Sequence, residues 1–266
     1  MKANCKNCER LLQPSYNYCP GCSQNVRLER LSIHQIIHDG IHYFTHVDNG
    51  IWQLIRDLAI KRGHIAKEYI EGKRRKYFPP LNFFLLVAAL FVFVLSLQEI
   101  PTAENILKEI PEQYAQKDTE KQQLDIERAE RLATAITYIN KYSNLLAMAA
   151  LPLTSFIFWL FYKKSKYNYT EHLIAGMYMM GFFILFHSVV LLPISYIFES
   201  TANIINLAFL IFYLVFATVF YNGFLGKKTF MSQCKVFCAA LAGGMAWGLL
   251  SGLIMAQYIS NKLPTF

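Results

Sequence analysis

Cys5-x-x-Cys8 and Cys19-Pro-Gly-Cys22 form two Cys-x-x-Cys turns separated by ten residues. Each turn can offer two thiolates to one ion, and two turns together complete a tetrahedral zinc site. Pro20-Gly21 suits the tight second turn, where Gly21 is expected to take a positive φ. Roughly 25 residues bury too little to fold alone, so the metal must supply folding energy on the order of 10 kcal/mol or more. With cysteine at all four ligand positions no coordination site stays open for a reacting water. The expectation is one structural zinc per chain, held by Cys5, Cys8, Cys19 and Cys22. The alternative, two disulfides in a secreted mini-domain, is disfavoured by the topology below, which puts this end in the reducing cytosol.

Other residue groups carry weaker chemistry. His34, His38, His42 and His46 recur every fourth residue. Neighbouring members share a helical face and could bind metal or titrate together, but the stripe drifts by roughly 40° per step, so all four cannot serve one ion. A solvated or headgroup-facing surface is the simpler reading. His187 is the one ionisable side chain near the middle of an apolar run, a position that suits either a proton or ion relay or a neutral imidazole satisfied by a hydroxyl. Met177, Met179 and Met180 read as lipid-facing filler. Cys234 and Cys238, one helical turn apart, read as inert small apolar side chains. The sequence holds no zinc-protease, nucleophile-elbow or P-loop signature, and no enzyme is expected.

These groups sit on a chain of 266 residues that is 54% apolar and 17% charged, with a mean hydropathy of +0.25. Such a composition belongs to membranes. Leu81–Leu97 carries no charge and covers about 25 Å as a helix, close to the hydrocarbon thickness. Further runs lie at about Ser143–Tyr162, His172–Phe198, Ile204–Leu225 and Val236–Ile259. The first 80 residues are polar or amphipathic, unlike a signal peptide. The fold class expected is an all-α polytopic membrane protein of about five transmembrane helices, with a small N-terminal zinc ribbon.

Basic residues orient it. Lys61, Arg62, Lys67, Lys73, Arg74, Arg75 and Lys76 precede the first run; Lys163, Lys164 and Lys166 follow the second; Lys227, Lys228 and Lys235 follow the fourth. With five spans all three groups fall on one side, which is cytoplasmic by the positive-inside rule. The N-terminus is then inside and the C-terminus outside. The net charge of +8 thus lies against the bilayer, where anionic lipid is the expected partner, and no nucleic acid is called for.

Three parts follow: a ribbon at 1–26, cytosolic amphipathic and juxtamembrane helices with a basic cluster at 27–80, and a five-helix bundle at 81–266 with an external helical loop at about 98–142. Apolar residues between Ile33 and Leu58 keep a helical period, and Asp48-Asn49-Gly50 should break that run. The external loop should break at Pro101 and Pro111 and become an amphipathic helix around Leu124, Ala129, Leu132, Ile136 and Ile139. In the last run Ala240, Gly244, Gly248, Gly252 and Ala256 repeat every fourth residue, a stripe for close helix approach. Packing inside one bundle is expected, with a homo-oligomer through Gly244, Gly248 and Gly252 as the alternative.

The most distinctive stretch outside the cysteines runs from Gly63 to Pro80. Its plain reading is an anchor: Lys73, Arg74, Arg75 and Lys76 for lipid phosphate, then Tyr77 and Phe78 in the aromatic belt. Gly72 followed by four cations could instead cradle a specific phosphate. The Cys-x-x-Cys pair, the Arg-Gly-x-x-x-x-Glu-Tyr-Ile-x-Gly-Lys-Arg-x-x-Tyr-x-x-Pro stretch from Arg62 to Pro80 and the apolar region behind them resemble an uncharacterised bacterial domain-of-unknown-function family. Ser23 stands where such ribbons more often have glycine, and Arg62 where the family more often has proline. The resemblance covers the first 90 or so residues and implies an inner-membrane protein with a cytosolic zinc ribbon, without implying an activity. The function expected is a non-enzymatic scaffold or adaptor that presents the ribbon to a protein partner. The alternative is a small transporter or ion pathway using His187 and the histidine stripe.

Overall fold

A segment with no water to satisfy its N–H and C=O groups must bond them internally, and each apolar run of this chain is a helix. The computed structural model describes residues 3–37, 50–97, 119–197, 202–227 and 229–260. Two short strands, β1 (Ala3–Asn4) and β2 (Leu11–Leu12), pair antiparallel with Ala3 opposite Leu12 and Asn4 opposite Leu11. A helical stretch at 33–37 follows. Then come α1 (Gly50–Lys61), α2 (His64–Ile70) and α3 (Pro80–Ser96). Helix α1 is described from Gly50, while Asp48 and Asn49 of the expected break lie outside the described residues; Pro80 starts α3 at a position that needs no N–H.

Helix α4 (Thr119–Lys141) is the polar element expected in the 98–142 segment, with Ala129 buried; Pro101 and Pro111 lie outside the described residues. Helices α5 (Ser143–Phe161) and α6 (Tyr169–Phe186) follow. A π-helical turn at His187–Leu191 joins α6 to α7 (Leu192–Ile197). Pro193 accounts for that turn, since it cannot donate to the preceding turn and its ring crowds the carbonyl there. The last two helices are α8 (Ala202–Leu225) and α9 (Phe230–Ile259).

Among the described residues, three helical stretches are long and apolar enough to cross a membrane: Tyr169–Ile194, Leu207–Leu225 and Phe230–Ile259. The other two expected spans are shorter apolar helices, Pro80–Ser96 and Met148–Phe161. Helix α6 packs against α3 and α5, and α9 against α5 and α8. Between them lies an aromatic core in which the Phe158 and Tyr221 rings stack at 3.8 Å.

The three basic segments meet at one end of this bundle. Lys166 pairs with Glu71 at 3.2 Å, while Lys227 and Lys235 both lie over the Tyr162 ring, at 5.4 and 4.8 Å. At the other end of the bundle, Arg131 of α4 donates to the Tyr258 carbonyl at 3.0 Å. Helix α2, expected outside the bundle, is wedged into it between α6 and α8, with Ile65, Ala66 and Tyr69 buried.

Candidate metal centre

The two knuckles repeat one backbone design. The Cys5 N–H donates to the Arg10 carbonyl and the Cys19 N–H to the Gln24 carbonyl, each at 2.8 Å. Glu9 and Ser23, each the residue after a knuckle's second cysteine, turn into left-handed conformation at φ 63° and 56°. The positive φ expected at Gly21 therefore falls on Ser23, because the chain must reverse after the second sulfur rather than between the two.

These turns bring all four sulfurs within 4.8 Å of one another. Cys5 Sγ lies 3.7 Å from Cys22 Sγ and Cys8 Sγ 3.6 Å from Cys19 Sγ, and no two are bonded. Zinc–thiolate bonds of about 2.3 Å in a tetrahedron place sulfurs about 3.8 Å apart. The donor set thus fits a soft, tetrahedral divalent ion. For Cys19, burial opposes the charge, yet the Gly21 and Cys22 N–H groups outweigh it and draw the thiol down to about 7. At Cys8 the Arg10 backbone favours the thiolate, but burial and the three neighbouring sulfurs push it up to about 12. A dication is what would let all four ionise together. Little else holds the unit: its buried apolar core is Cys5, Leu12 and Cys19.

The knuckle unit is seated on the bundle. The Leu28 side chain and the Lys6 stem cross Gly72, whose φ is +123° and where a Cβ would come within 2.7 Å of Leu28. Gln24 Oε1 accepts from the Arg75 N–H at 3.2 Å, and the Arg74 guanidinium donates to the Glu29 carbonyl at 2.7 Å. Arg30 then grips Glu171 with two parallel bonds, Nε to Oε1 at 2.9 Å and Nη2 to Oε2 at 2.8 Å. Glu171 also closes a capping box with Asn168 at the start of α6.

The second anchor is Glu68. Lys73 reaches its Oε1 at 3.1 Å, Lys76 its Oε2 at 3.2 Å, and the Tyr77 hydroxyl donates to Oε2 as well. Burial opposes the charge on Glu68, but Tyr77, Lys73 and Lys76 together hold its carboxyl down at about 2. Burial first, then the Glu68 carboxylate, pushes the Tyr77 phenol up. Of the four cations expected at lipid phosphate, Lys73 and Lys76 meet Glu68 first, and Arg75 alone is exposed. Beyond this cluster, the Tyr178 hydroxyl donates to the Phe78 carbonyl at 2.7 Å, tying the motif to α6. Gly63 lies so close to α8 that a Cβ would meet the Phe220 carbonyl oxygen at 1.8 Å. The stretch from Gly63 to Pro80 is thus the joint between the knuckle unit and the bundle.

A family model for proteins of unknown function (DUF3667) matches residues 48–92. The match runs from just before α1 through the Glu68 cluster into α3, so it covers the joint and leaves the cysteines outside. No curated protein and no solved structure matches the chain.

The remaining candidates fare unevenly. His34 lies in the helical stretch at 33–37, while His38, His42 and His46 lie outside the described residues. His187 opens the π-helical turn between the Phe91 and Phe209 rings, at 5.7 and 4.4 Å. Met177 and Met179 are buried in the core and Met180 is half-buried against it, not lipid-facing filler, because α6 is the central helix. Cys234 and Cys238 are exposed. At Gly244, Gly248 and Gly252 a Cβ would meet nothing within 4 Å, whereas Gly243 faces Thr154. From Gly244 to Gly252 the stripe therefore points away from the bundle, while Ala240 at its start is buried in the core; packing of the three glycines within one chain is not found among the described residues. Glu68 and Glu171 had no assigned role at the sequence level. The signal available was the spacing of Glu68 ahead of Lys73 and Lys76, and the Asn168-x-x-Glu171 capping pattern.

Proposed function

We propose that this is a non-enzymatic scaffold or adaptor of the bacterial inner membrane, in which a cytosolic zinc ribbon is clamped to a five-helix bundle and offers its outer face to a protein partner. The observation that carries this reading is the seating of the knuckle unit. One side is fixed through Gly72, Arg74 and Arg30, while Leu11 and Tyr18 stay 56% and 62% exposed. A metal-stabilised unit held this firmly presents a preorganised surface, which lowers the ordering cost of binding. Zinc is the ion proposed for Cys5, Cys8, Cys19 and Cys22, with the N-terminus cytosolic and the C-terminus outside. Exposed Arg75 is the residue of the basic run best placed for anionic lipid. The open stripe at Gly244, Gly248 and Gly252 is proposed to face a second copy of the chain.

The transport reading has less support. It needs a polar path, and His187 sits between two phenylalanine rings.

A photo-crosslinking residue placed at Leu11 or Tyr18 of the full chain, in its own membrane, tests the scaffold reading. A discrete protein adduct is expected, together with one zinc per chain. Both should vanish in Cys5→Ser while the bundle stays inserted. Absence of an adduct at both positions, or an adduct indifferent to metal loss, would overturn it.

A further inference from the structure

Between the first knuckle and helices α1 and α2 lies a cleft of about 770 Å³, within the range of small-molecule sites, about 300–1,000 Å³. Lys6 lines it from the knuckle side, and Lys61, His64, Lys67 and Lys73 from the helices and the turn after them. Three carboxylates share the walls, Glu9, Glu68 and Glu71, and two of them are already committed. Glu68 is met by Lys73, Lys76 and Tyr77, and Glu71 by Lys166 from outside the cleft. Lys61 is likewise met from outside, by Asp57 at 3.0 Å.

Lys6 and Lys67 remain. Neither makes an ion pair among the described residues, and Glu9 is the one acid of the cleft not engaged elsewhere. Lys6 is exposed and Lys67 half-buried. The Lys6 stem lies across Gly72, its Cδ 3.0 Å and Cβ 3.4 Å from where a glycine Cβ would stand, and the Lys67 ammonium lies 3.7 Å from the same position at Gly226, just past the end of α8. Two ammonium groups carried on opposite walls of one cleft are point charges suited to one compact, multiply charged oxyanion.

We propose that this cleft binds a phosphate group, gripped between Lys6 of the knuckle unit and Lys67 of α2, with His64 beside it as a further donor. The ligand is a phosphate ester: a phospholipid headgroup reaching in from the bilayer surface, or a soluble phosphate compound. Binding would draw the two walls together, so phosphate occupancy and the seating of the knuckle unit reinforce each other. The two lysines that grip the phosphate, Lys6 and Lys67, lie outside the Lys73–Lys76 run, and the site needs no protein partner at Leu11 or Tyr18.

The full-length protein in mild detergent can be titrated calorimetrically with inorganic phosphate and, separately, with dihexanoyl phosphatidylglycerol. At least one probe is expected to bind saturably, with Lys6→Gln and Lys67→Gln each weakening it about tenfold, the effect of one charge-assisted hydrogen bond. Arg27→Gln should change it less than about twofold, since that side chain is exposed and does not line the cleft. Binding of the lipid alone identifies a headgroup, and binding of inorganic phosphate identifies a soluble ligand. The proposal is overturned if neither probe saturates, or if Arg27→Gln costs as much as Lys6→Gln.

Discussion

Arg30 and Glu171 stand 141 residues apart in sequence and make a two-pronged ion pair. Arg30 is 58% exposed while Glu171 is 7% exposed, so the pair is a surface arm reaching down to a carboxylate already committed to capping α6. It fixes where the cysteine unit sits relative to the helices, and Arg30 adds a third bond to the Lys166 carbonyl at 2.8 Å.

Removing the arm should loosen the joint without unfolding either side. Arg30→Ala leaves Glu171 with its cap partner alone. Given the exposure of the arginine, a loss of about 1–2 kcal/mol is expected. Limited proteolysis should then cut faster between 24 and 31, with metal content unchanged. Arg30→Lys should recover only part of the protection, because an ammonium cannot reproduce the planar fork. Equal protease resistance in wild type and Arg30→Ala would show that the pair does not hold the unit down.

Ser23 gives a prediction of the opposite sign. Its φ of 56° costs a side-chain-bearing residue about 1 kcal/mol relative to glycine. Ser23→Gly should therefore strengthen the metal-loaded fold by roughly that amount, read as slower metal loss to a competing chelator. A faster loss would mean that Ser23 contributes something the backbone strain does not reveal.

The Glu68 cluster makes the joint sensitive to acid. Its carboxyl is held down at about 2 in the folded chain, against about 4.3 when unfolded. The stability it contributes is full above about pH 4.3 and is lost as pH falls toward 2. Glu68→Gln should flatten the pH dependence of thermal stability across that window and lower stability at neutral pH, where Lys73 and Lys76 lose their shared partner. An unchanged acid profile in Glu68→Gln would exclude Glu68 as the group responsible.

What could be read from the sequence was local. Cys5, Cys8, Cys19 and Cys22 announce their cluster by spacing, and the apolar runs become helices because hydropathy and length act within each segment. Pro80 marks a helix start for a reason contained in a single residue. The joint could not be read this way. A run such as Lys73–Lys76 looks like a lipid anchor until Glu68 is folded back onto two of its members, and Glu171 needs Arg30 from far along the chain. Met177 and Met179 are buried because α6 is central, a fact of arrangement that composition does not carry. The glycine stripe specifies close approach but not by what.

Gly63 and Gly248 separate two uses of glycine, and one experiment can tell them apart. At Gly63 a Cβ would lie 1.8 Å from the Phe220 carbonyl oxygen and 2.5 Å from the Phe224 nitrogen. Backbone cannot swing aside as a side-chain tip can, so Gly63→Ala must push α2 away from α8. The expected cost is about 1–3 kcal/mol or more, seen as a Tm lower by several degrees. At Gly248 nothing lies within 4 Å, so Gly248→Leu should leave the fold of a single chain within about 0.5 kcal/mol of wild type. Its effect belongs to contact between chains. If Gly244, Gly248 and Gly252 meet a second copy, wild type should run as a dimer in mild detergent and Gly248→Leu as a folded monomer. A wild-type monomer, or a dimer unmoved by Gly248→Leu, would leave the stripe facing lipid and refute the oligomer through it. A large loss of Tm in Gly248→Leu without a change in mass would instead return the stripe to packing within one chain.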